Sequence, residues 1–568
     1  MKRVLVFLLL VALLVPTLAS CGKKAPAPDP SGTVADTTAS RTESGKETEP
    51  TTTGGLTPSG DETTTATTTA DPWEPIAAAF VGLDEAYRTV RIQLDASETA
   101  GTGARNPRLF AGPDEVTGET PAAEREIYER NRAARDRLGL TVSYSYQSDA
   151  CGEQAERIAA ATEGANAPDL FVGTLRDLTR ATLRGCFRDI YAGAGSYLDL
   201  TGDGWLTELI DSTSLTHDRA YILAGDAFPD LYRGAIVLPF NRTLLDNKTL
   251  QARLSPCVLP DGETLGAGEK LSDRFFDLIA AGKWTYDTLT ALSEAVFSDV
   301  GSRADTDDFS DLLGFVCDVA PDTVAAALIA TRETDYLAES TDGETGRVTL
   351  TYLHDGGSLG DLLTALFRLI GANGTAVTTG GFSDYPDEPG FAAHRRKFAS
   401  GSLLFLGAVP LGTLGYGEIA ATTGEVAVAP LPKLRGSDRY VTPVSPDADA
   451  GAINRRSVAF SAVSAYLQYL SENSRTALDR YLASLIGTDA EISTGIVRDS
   501  IVSWRSETVE DAVAGVDAPA WRTQTESNAY RVTAADFAAA YSSAIGPKGE
   551  RLNQLLDTWY GLPKGATE

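Results

Sequence analysis

The sequence predicts an α/β protein whose sheets are largely parallel and covered by helices on both faces. Two observations predict it. Short apolar runs recur along the chain: VRIQL (90–94), PDLFVGT (168–174), AIVLPFN (235–241), LLFLGAV (403–409) and EVAVAPLP (425–432). A strand buried on both faces reads as such a continuous run. Between the runs lie longer stretches with apolar residues at helical spacing, such as AAEREIYERNRAARDRLGL (122–140). Strand and helix in alternation make parallel pairs with crossover helices.

The chain does not begin with that pattern. Lys2-Arg3 precedes an unbroken apolar run to Val15, and small residues follow. A basic head, a short apolar run and small residues are the parts of a secretory signal peptide. The run falls short of the ~20 residues a spanning helix needs. Leu18-Ala19-Ser20-Cys21 resembles the bacterial lipobox. The resemblance implies removal of residues 1–20 and a mature N-terminus at Cys21, carrying a diacylglyceryl thioether and a further acyl chain. Two or more chains anchor a protein stably to a membrane. Residues 21–72 are largely Thr, Ser, Pro, Gly, Ala and charged residues in runs such as ETTTATTTA, without one aromatic. Such a stretch cannot bury enough apolar surface to offset its ordering entropy. It reads as a disordered tether with a reach of roughly 40 Å.

Composition narrows the rest. A formal net charge of −29 argues against nucleic acid and against a polybasic grip on lipid head groups. The three histidines, His217, His354 and His394, are far apart, and neither C-x-x-C nor H-E-x-x-H occurs. That speaks against a zinc site, and no cofactor is expected. Besides Cys21 there are Cys151, Cys186, Cys257 and Cys317. In an exported chain these can form disulfides or remain buried thiols. Cys151 and Cys186 flank PDLFVGT at matching helix ends and are the pair expected if a bridge exists.

From Trp73 onward the elements follow in order. VRIQL is a strand, 122–140 a charged amphipathic helix stopped at Gly139, TVSYSYQ (141–147) an alternating strand and CGEQAERIAAATEGA a helix. PDLFVGT is a buried strand, LRDLTRATLRG a helix and AIVLPFN another buried strand. Helices then dominate: TYDTLTALSEAVFSD (285–299), DTVAAALIATRETDYL (322–337) and DLLTALFRLIGA (361–372). LLFLGAV and EVAVAPLP return to strand, and the tail from VAFSAVSAYLQYLSEN to RLNQLLDTWYGL is helical.

Several motifs invite a chemical reading and do not sustain it. Gly356-Gly357-Ser358-Leu359-Gly360 is a literal G-x-S-x-G between a strand and a helix, with Asp384 and His394 after it. The partners lie too near in sequence, no oxyanion loop precedes, and Ser358 before Asp361 suits a helix cap. FSDVGSRADTDDFSDLLGF (297–315) is acidic, but Arg303 stands where a calcium ligand would be needed. It reads as a solvated loop, and DLTGDGW around Asp199 and Asp203 as a turn. Trp284 in KWTYDTL reads as a staple at a helix start rather than a sugar platform.

Several segments together resemble the extracellular solute-binding lipoproteins of bacterial ABC importers, in the family-1, maltodextrin-binding-like class. They are EIYERNRAARDRLGLTVSY, APDLFVGTLRDLTRATLRGCFRDI, AIVLPFNRTLLD, AAGKWTYDTLTALSEAV, FASGSLLFLGAV and VAVAPLPKLRG. The resemblance implies a two-lobed, periplasmic-binding-protein-like (type II) α/β fold with discontinuous lobes and a ligand cleft between them. The expected first lobe is 77–237 with 438–490 and the second 238–437 with 491–568, hinged near Leu238–Asn241 and Pro430–Gly436. It implies no enzyme activity, a small solute such as an oligosaccharide, an ABC permease as partner, and a monomer on the outer face of the cytoplasmic membrane. A secreted carbohydrate-active enzyme and a surface sensor or adhesin are the alternatives.

Open α/β sheets bind ligands outside the carboxyl ends of their strands, and glycine there lets a ligand approach the backbone. Such carboxyl ends carry Asp149 after TVSYSYQ, Gly173 and Thr174 in PDLFVGT, and Val409; the resemblance implies Gly173, Thr174, Arg176 and Asp177 as the ligand loop, and Asp149 and Asp226 are expected to accept from hydroxyl groups. Tyr416 and Trp504 would stack on a sugar from the other lobe. Where the family often offers an aromatic platform, this chain has Gly173.

Lipidation is testable directly. Cys21→Ala should abolish incorporation of labelled palmitate and shift the protein out of the processed membrane fraction. Normal processing and membrane retention would contradict the anchor.

Overall fold

A computed structural model of the chain describes residues 71–97, 105–148, 154–300 apart from 165 and 217, 310–318, 337–352, scattered positions from 361 to 378 including 374–378, 390–486 apart from 416–418, 420, 423 and 437, and parts of 546–562. The signal peptide, the tether and Cys21 lie outside the described residues, as do Cys151, Ser358, Asp384, residues 301–309 of the 297–315 loop and residues 322–336 of the expected helix 322–337.

Twelve strands are described: β1 (Thr89–Asp95), β2 (Thr141–Gln147), β3 (Leu170–Thr174), β4 (Ile236–Asn241), β5 (Leu313–Asp318), β6 (Leu337–Thr341), β7 (Val348–Tyr352), β8 (Thr375–Thr378), β9 (Leu403–Leu406), β10 (Val409–Pro410), β11 (Val426–Ala429) and β12 (Asp449–Ile453). The first sheet has the order β2-β1-β3-β12. β1, β2 and β3 are parallel, and β12 runs antiparallel to β3. The second sheet has the order β8-β5-β9-β4 with β10 and β11 also on β4. β5, β8 and β9 are parallel and β4 is antiparallel to β9. Each sheet is therefore a parallel triplet in the order second-first-third, closed by one antiparallel strand. In both cases the chain supplies that strand as it passes between the sheets: β4 on the way out, β12 on the way back.

The expected α/β class is what the described residues form. The helix Ala122–Leu138 buries Ile127, Ala134 and Leu138 at helical spacing and stops at Gly139, whose φ of 63° is left-handed. Only glycine takes that conformation at little cost. Helices Phe460–Glu472 and Arg475–Ile486 pack on the same helix, so this part of the tail belongs beside the first sheet. The second core is aromatic. Trp284 stacks on Phe405 at 5.5 Å and meets Phe275 edge-on at 4.9 Å. Its indole N–H donates to the Pro430 carbonyl at 2.9 Å. Thr285 caps the following helix by accepting from the Thr288 amide. Trp284 is fully buried, so it is a core anchor at a helix start and offers no face to a sugar. Among the described residues no helix is long and apolar enough to cross a membrane.

The two passages between sheets pair with each other. Ile236 N–H donates to Pro443 O at 2.8 Å, Ser445 N–H to Gly234 O at 2.7 Å, and Leu411 N–H to Ala235 O at 2.7 Å. A Cβ on Gly234 would fall 2.5 Å from the Ala448 methyl group, so only glycine permits the approach. The expected hinge segments lie to one side of this crossing. Leu238–Asn241 are paired with Ala429–Val426 inside the second sheet, and Lys433 bridges to Thr285. The described part of the 491–568 tail reaches the loop at Thr216: Trp559 donates its indole N–H to Thr216 Oγ1 at 2.8 Å. That loop leads to Leu223, which bridges to Gly451 of β12.

Candidate functional site

Topology fixes where a ligand site would lie. β3 ends at Thr174, opposite Asp449 at the start of β12, only a few residues past the crossing at 443–445. β9 ends at Leu406, and Val409 then pairs with Val237 at the start of β4. Because β1 and β2 run parallel to β3, and β5 and β8 to β9, both triplets direct their carboxyl ends towards the crossing. The edge of an open parallel sheet where ligands bind thus occurs twice, on either side of one junction.

The sequence expectations fare unevenly here. Thr174 and Asp177 are buried and serve each other: Thr174 Oγ1 caps the helix Leu175–Thr182 by accepting from Asp177 N–H at 3.0 Å and bonds to Asp177 Oδ2 at 3.0 Å. Both side chains thus cap the start of that helix. Asp226 is buried and accepts from the Tyr232 hydroxyl at 2.6 Å, so it too holds the fold. Gly173 faces its own protein: a Cβ there would sit 3.4 Å from the Asp95 Cβ. Val409 lies in the crossing, buried. Arg176 is the expected residue that stays partly exposed, pairing with Asp447 at 3.1 Å beside the crossing. Asp149, Tyr416 and Trp504 lie outside the described residues. Cys186 is a buried free thiol, pushed up in pKa by burial; its expected partner Cys151 is not among the described residues.

What the sequence reading missed is a buried charge network at the same edge. Asp95 is the last residue of β1, and its carboxylate pairs with Arg105. Arg105 Nη2 reaches Asp449 Oδ1 at 2.8 Å and Nη1 donates to Ser97 Oγ at 3.3 Å. Arg233, in the turn just before the crossing, binds Asp230 at 3.2 Å, approaches Asp449 at 4.0 Å and donates to the Asp447 carbonyl at 3.1 Å. Asp230 also accepts from Tyr481 Oη at 3.1 Å and from the Asn106 amide at 3.3 Å. The five charged side chains are at most 6 % exposed. A cavity of about 10 Å³ lies against Asp95, Asn106, Phe110, Phe228 and Asp449, about the space one water needs.

Among the described residues, three carboxyl groups here face two guanidinium groups. Burial is the larger influence on Asp449 and raises its pKa to about 7, against the pull of Arg105; the nearby Asp230 adds to the rise. For Arg105, burial works against the charge, but Asp449 and Asp95 together hold it firmly protonated. Buried ion pairs contribute little net stability, whereas removing one partner is costly. The network's work is geometric: it fastens the end of β1 to the turn before the crossing and to the strand after it.

No protein-family model matches the chain, and no curated protein is similar to it. Solved structures of related shape exist at low identity. The cyclic alpha-maltosyl-1,6-maltose binding protein from Arthrobacter globiformis is 13 % identical, with a TM-score of 0.48 over 81 % of this chain and 99 % of that one. The galacto-N-biose/lacto-N-biose I-binding protein of the ABC transporter from Bifidobacterium longum is 12 % identical, with a TM-score of 0.46 over 83 % and 98 %. A maltose/maltodextrin-binding domain from Bdellovibrio bacteriovorus is 12 % identical, with a TM-score of 0.42 over 82 % and 100 %.

The network makes stability depend on pH in a defined sense. Folded Asp449 keeps its proton to about pH 7, while an unfolded carboxyl releases it near pH ~4. Between these values the folded state binds more protons, so this group's contribution falls as pH rises through the window and levels off above it. Asp449→Asn should flatten that slope in urea midpoints measured from pH 5 to pH 8. An unchanged slope would show that Asp449 is not the titrating group.

Proposed function

We propose that this chain is a membrane-tethered substrate-binding protein of an ABC importer, capturing an oligosaccharide by closure of two α/β lobes over a central cleft. The observation that carries the reading is topological: two parallel triplets direct their carboxyl ends at one junction, where the chain crosses between sheets. A body divided in this way can open and close about the crossing, and a solute held between the two edges touches both sides only when they are closed. That differential contact is what lets a ligand shift the equilibrium.

The first lobe is built on β1–β3 and β12, with the helices from 460 to 486; the second is built on β4, β5 and β8–β11. Cys21 and the Thr-rich segment supply a lipid anchor and a tether on the outer face of the cytoplasmic membrane. An ABC permease is the partner, and the body works as a monomer. The reading contains no catalytic step. Glycoside hydrolysis needs two carboxyl groups placed on either side of an accessible bond. The carboxylates gathered at the crossing are instead buried and spent on arginines. Arg176 and Asp447, partly exposed at the first-lobe edge, are the proposed hydroxyl contacts, with Tyr416, Trp504 and Asp149 proposed around them. A charged partner strengthens a hydrogen bond to a sugar hydroxyl.

Melting curves of the full chain against a panel of mono- and oligosaccharides test this. A ligand at ~100 times its Kd adds about 2.7 kcal/mol of stability, which raises the melting temperature measurably. Arg176→Ala should reduce the shift without changing the unliganded melt. A panel with no shift, or sugars recovered as hydrolysis products, would overturn the proposal.

A further inference from the structure

The carboxyl groups at the crossing come in pairs that share a cation. Arg105 lies between Asp95 at the end of β1 and Asp449 at the start of β12. Arg233 lies between Asp230 and the same Asp449. Each pair is thereby drawn together away from solvent, and two carboxyl groups in one buried site resist ionising together. Asp449 belongs to both pairs, so the conflict falls on it. Arg105 meets its Oδ1 at 2.8 Å but off the line of a hydrogen bond, which weakens the hold on a charged carboxylate. The other elements packed against β12 add no further cation to it. β3 sets the uncharged Thr174 opposite Asp449. The helix Leu175–Thr182 carries Asp177, which bonds to Thr174, and Arg176, which pairs with Asp447. Tyr481 reaches Asp230.

Asp449 also ends the passage that returns to the first sheet, and that passage is held by hydrogen bonds on two sides. The first two amides of the helix Leu175–Thr182 donate to it: Leu175 N–H to Ala448 O and Arg176 N–H to Pro446 O, each at 2.9 Å. The outgoing passage meets it through Ile236 N–H to Pro443 O and Ser445 N–H to Gly234 O. Whatever moves Asp449 out of its buried site strains all four bonds.

We infer that the network is a proton-operated latch: it holds the end of β1, the turn before the crossing and the start of β12 together while one proton sits among the three carboxyl groups, and it frees the 443–449 passage when that proton leaves. Burial, with Asp230 adding to it, keeps the proton on closed Asp449 to about pH 7. An opening that hydrates the carboxyl returns it to the ordinary range near pH ~4. The closed passage thus binds the proton more tightly than the open one. Its advantage is complete at low pH, falls as pH rises through this window, and is constant above it. This is a local event. A group can weigh on the unfolding of the whole chain without any one segment opening by itself. The latch does not rest on the solute-binding reading.

Hydrogen exchange of the full-length protein without solute tests this, read by mass spectrometry and corrected for the intrinsic pH dependence of amide exchange. In peptides carrying the Leu175, Arg176, Ile236 and Ser445 amides, protection should fall about tenfold between pH 6 and pH 8 and then level off. That is the change in opening produced by a carboxyl whose pKa is about 7 closed and ~4 open. Protection at Gly407, whose amide donates to Val316 O inside the second sheet, should stay constant. Asp449→Asn has no proton to lose and should abolish the fall at all four amides. A flat wild-type profile would overturn the latch, and that outcome needs no variant to fold. An equal fall at Gly407 would overturn it too, because the whole chain would then be opening. So would the wild-type profile persisting in Asp449→Asn.

Discussion

The pairing of residues 234–236 with 443–445 is the constraint from which the rest of the molecule follows. Two chain passages lie side by side through two short hydrogen bonds, and each becomes the strand antiparallel to a parallel triplet, in a different sheet. Their direction sets the direction of the strands beside them, and so brings the carboxyl ends of both triplets to one place. Gly234 is a condition of that closeness, since any side chain would meet Ala448. The buried ions make the junction specific. Arg105 ties the end of β1 to Asp449 just after the crossing, and Arg233 ties Asp230 to the Asp447 carbonyl from just before it. A hydrophobic plug could fill that space with equal stability. It would not fix the relative placement of three chain segments as directed ion pairs do.

The division of labour between the two sides follows from this anchoring. The turn before the crossing and the strand after it are both bound to the first sheet by charge. On the other side β4 continues into an aromatic core built around Trp284, Phe240, Phe275 and Phe405. In the closure proposed above, the second sheet would move as a body against a first sheet that holds both passages. Arg176 and Asp447 lie at the edge that would face the moving side.

Much of the fold was legible because strands buried on both faces leave apolar runs that helices seldom imitate. TVSYSYQ coincides with β2, and AIVLPFN and PDLFVGT differ from β4 and β3 only at their ends. β12 was not legible. Its sequence, DAGAI, has weak strand formers at all but Ile453; Gly451 lies against the Phe228 ring, where a Cβ would fall 2.3 Å from Cζ. The β6 strand LAEST gave no signal for the same reason of composition. The site was harder still. Loop residues after an apolar strand named the carboxyl edge of the first sheet, where Thr174 and Arg176 lie. Their roles differed because Thr174 and Asp177 form a local cap, which the short spacing between them suggests on its own. The charge network was invisible in advance: Asp95, Arg105, Asp230, Arg233 and Asp449 are scattered over the chain, and only the crossing brings them together.

The central claim is that the two sheets close over a solute about the crossing. Small-angle X-ray scattering of the full-length protein, with and without a saturating oligosaccharide that raises its melting temperature, tests this most directly. The account predicts that the bound form has a smaller radius of gyration and a shorter maximum dimension at unchanged mass. Identical scattering curves for the free and the saturated protein would contradict it.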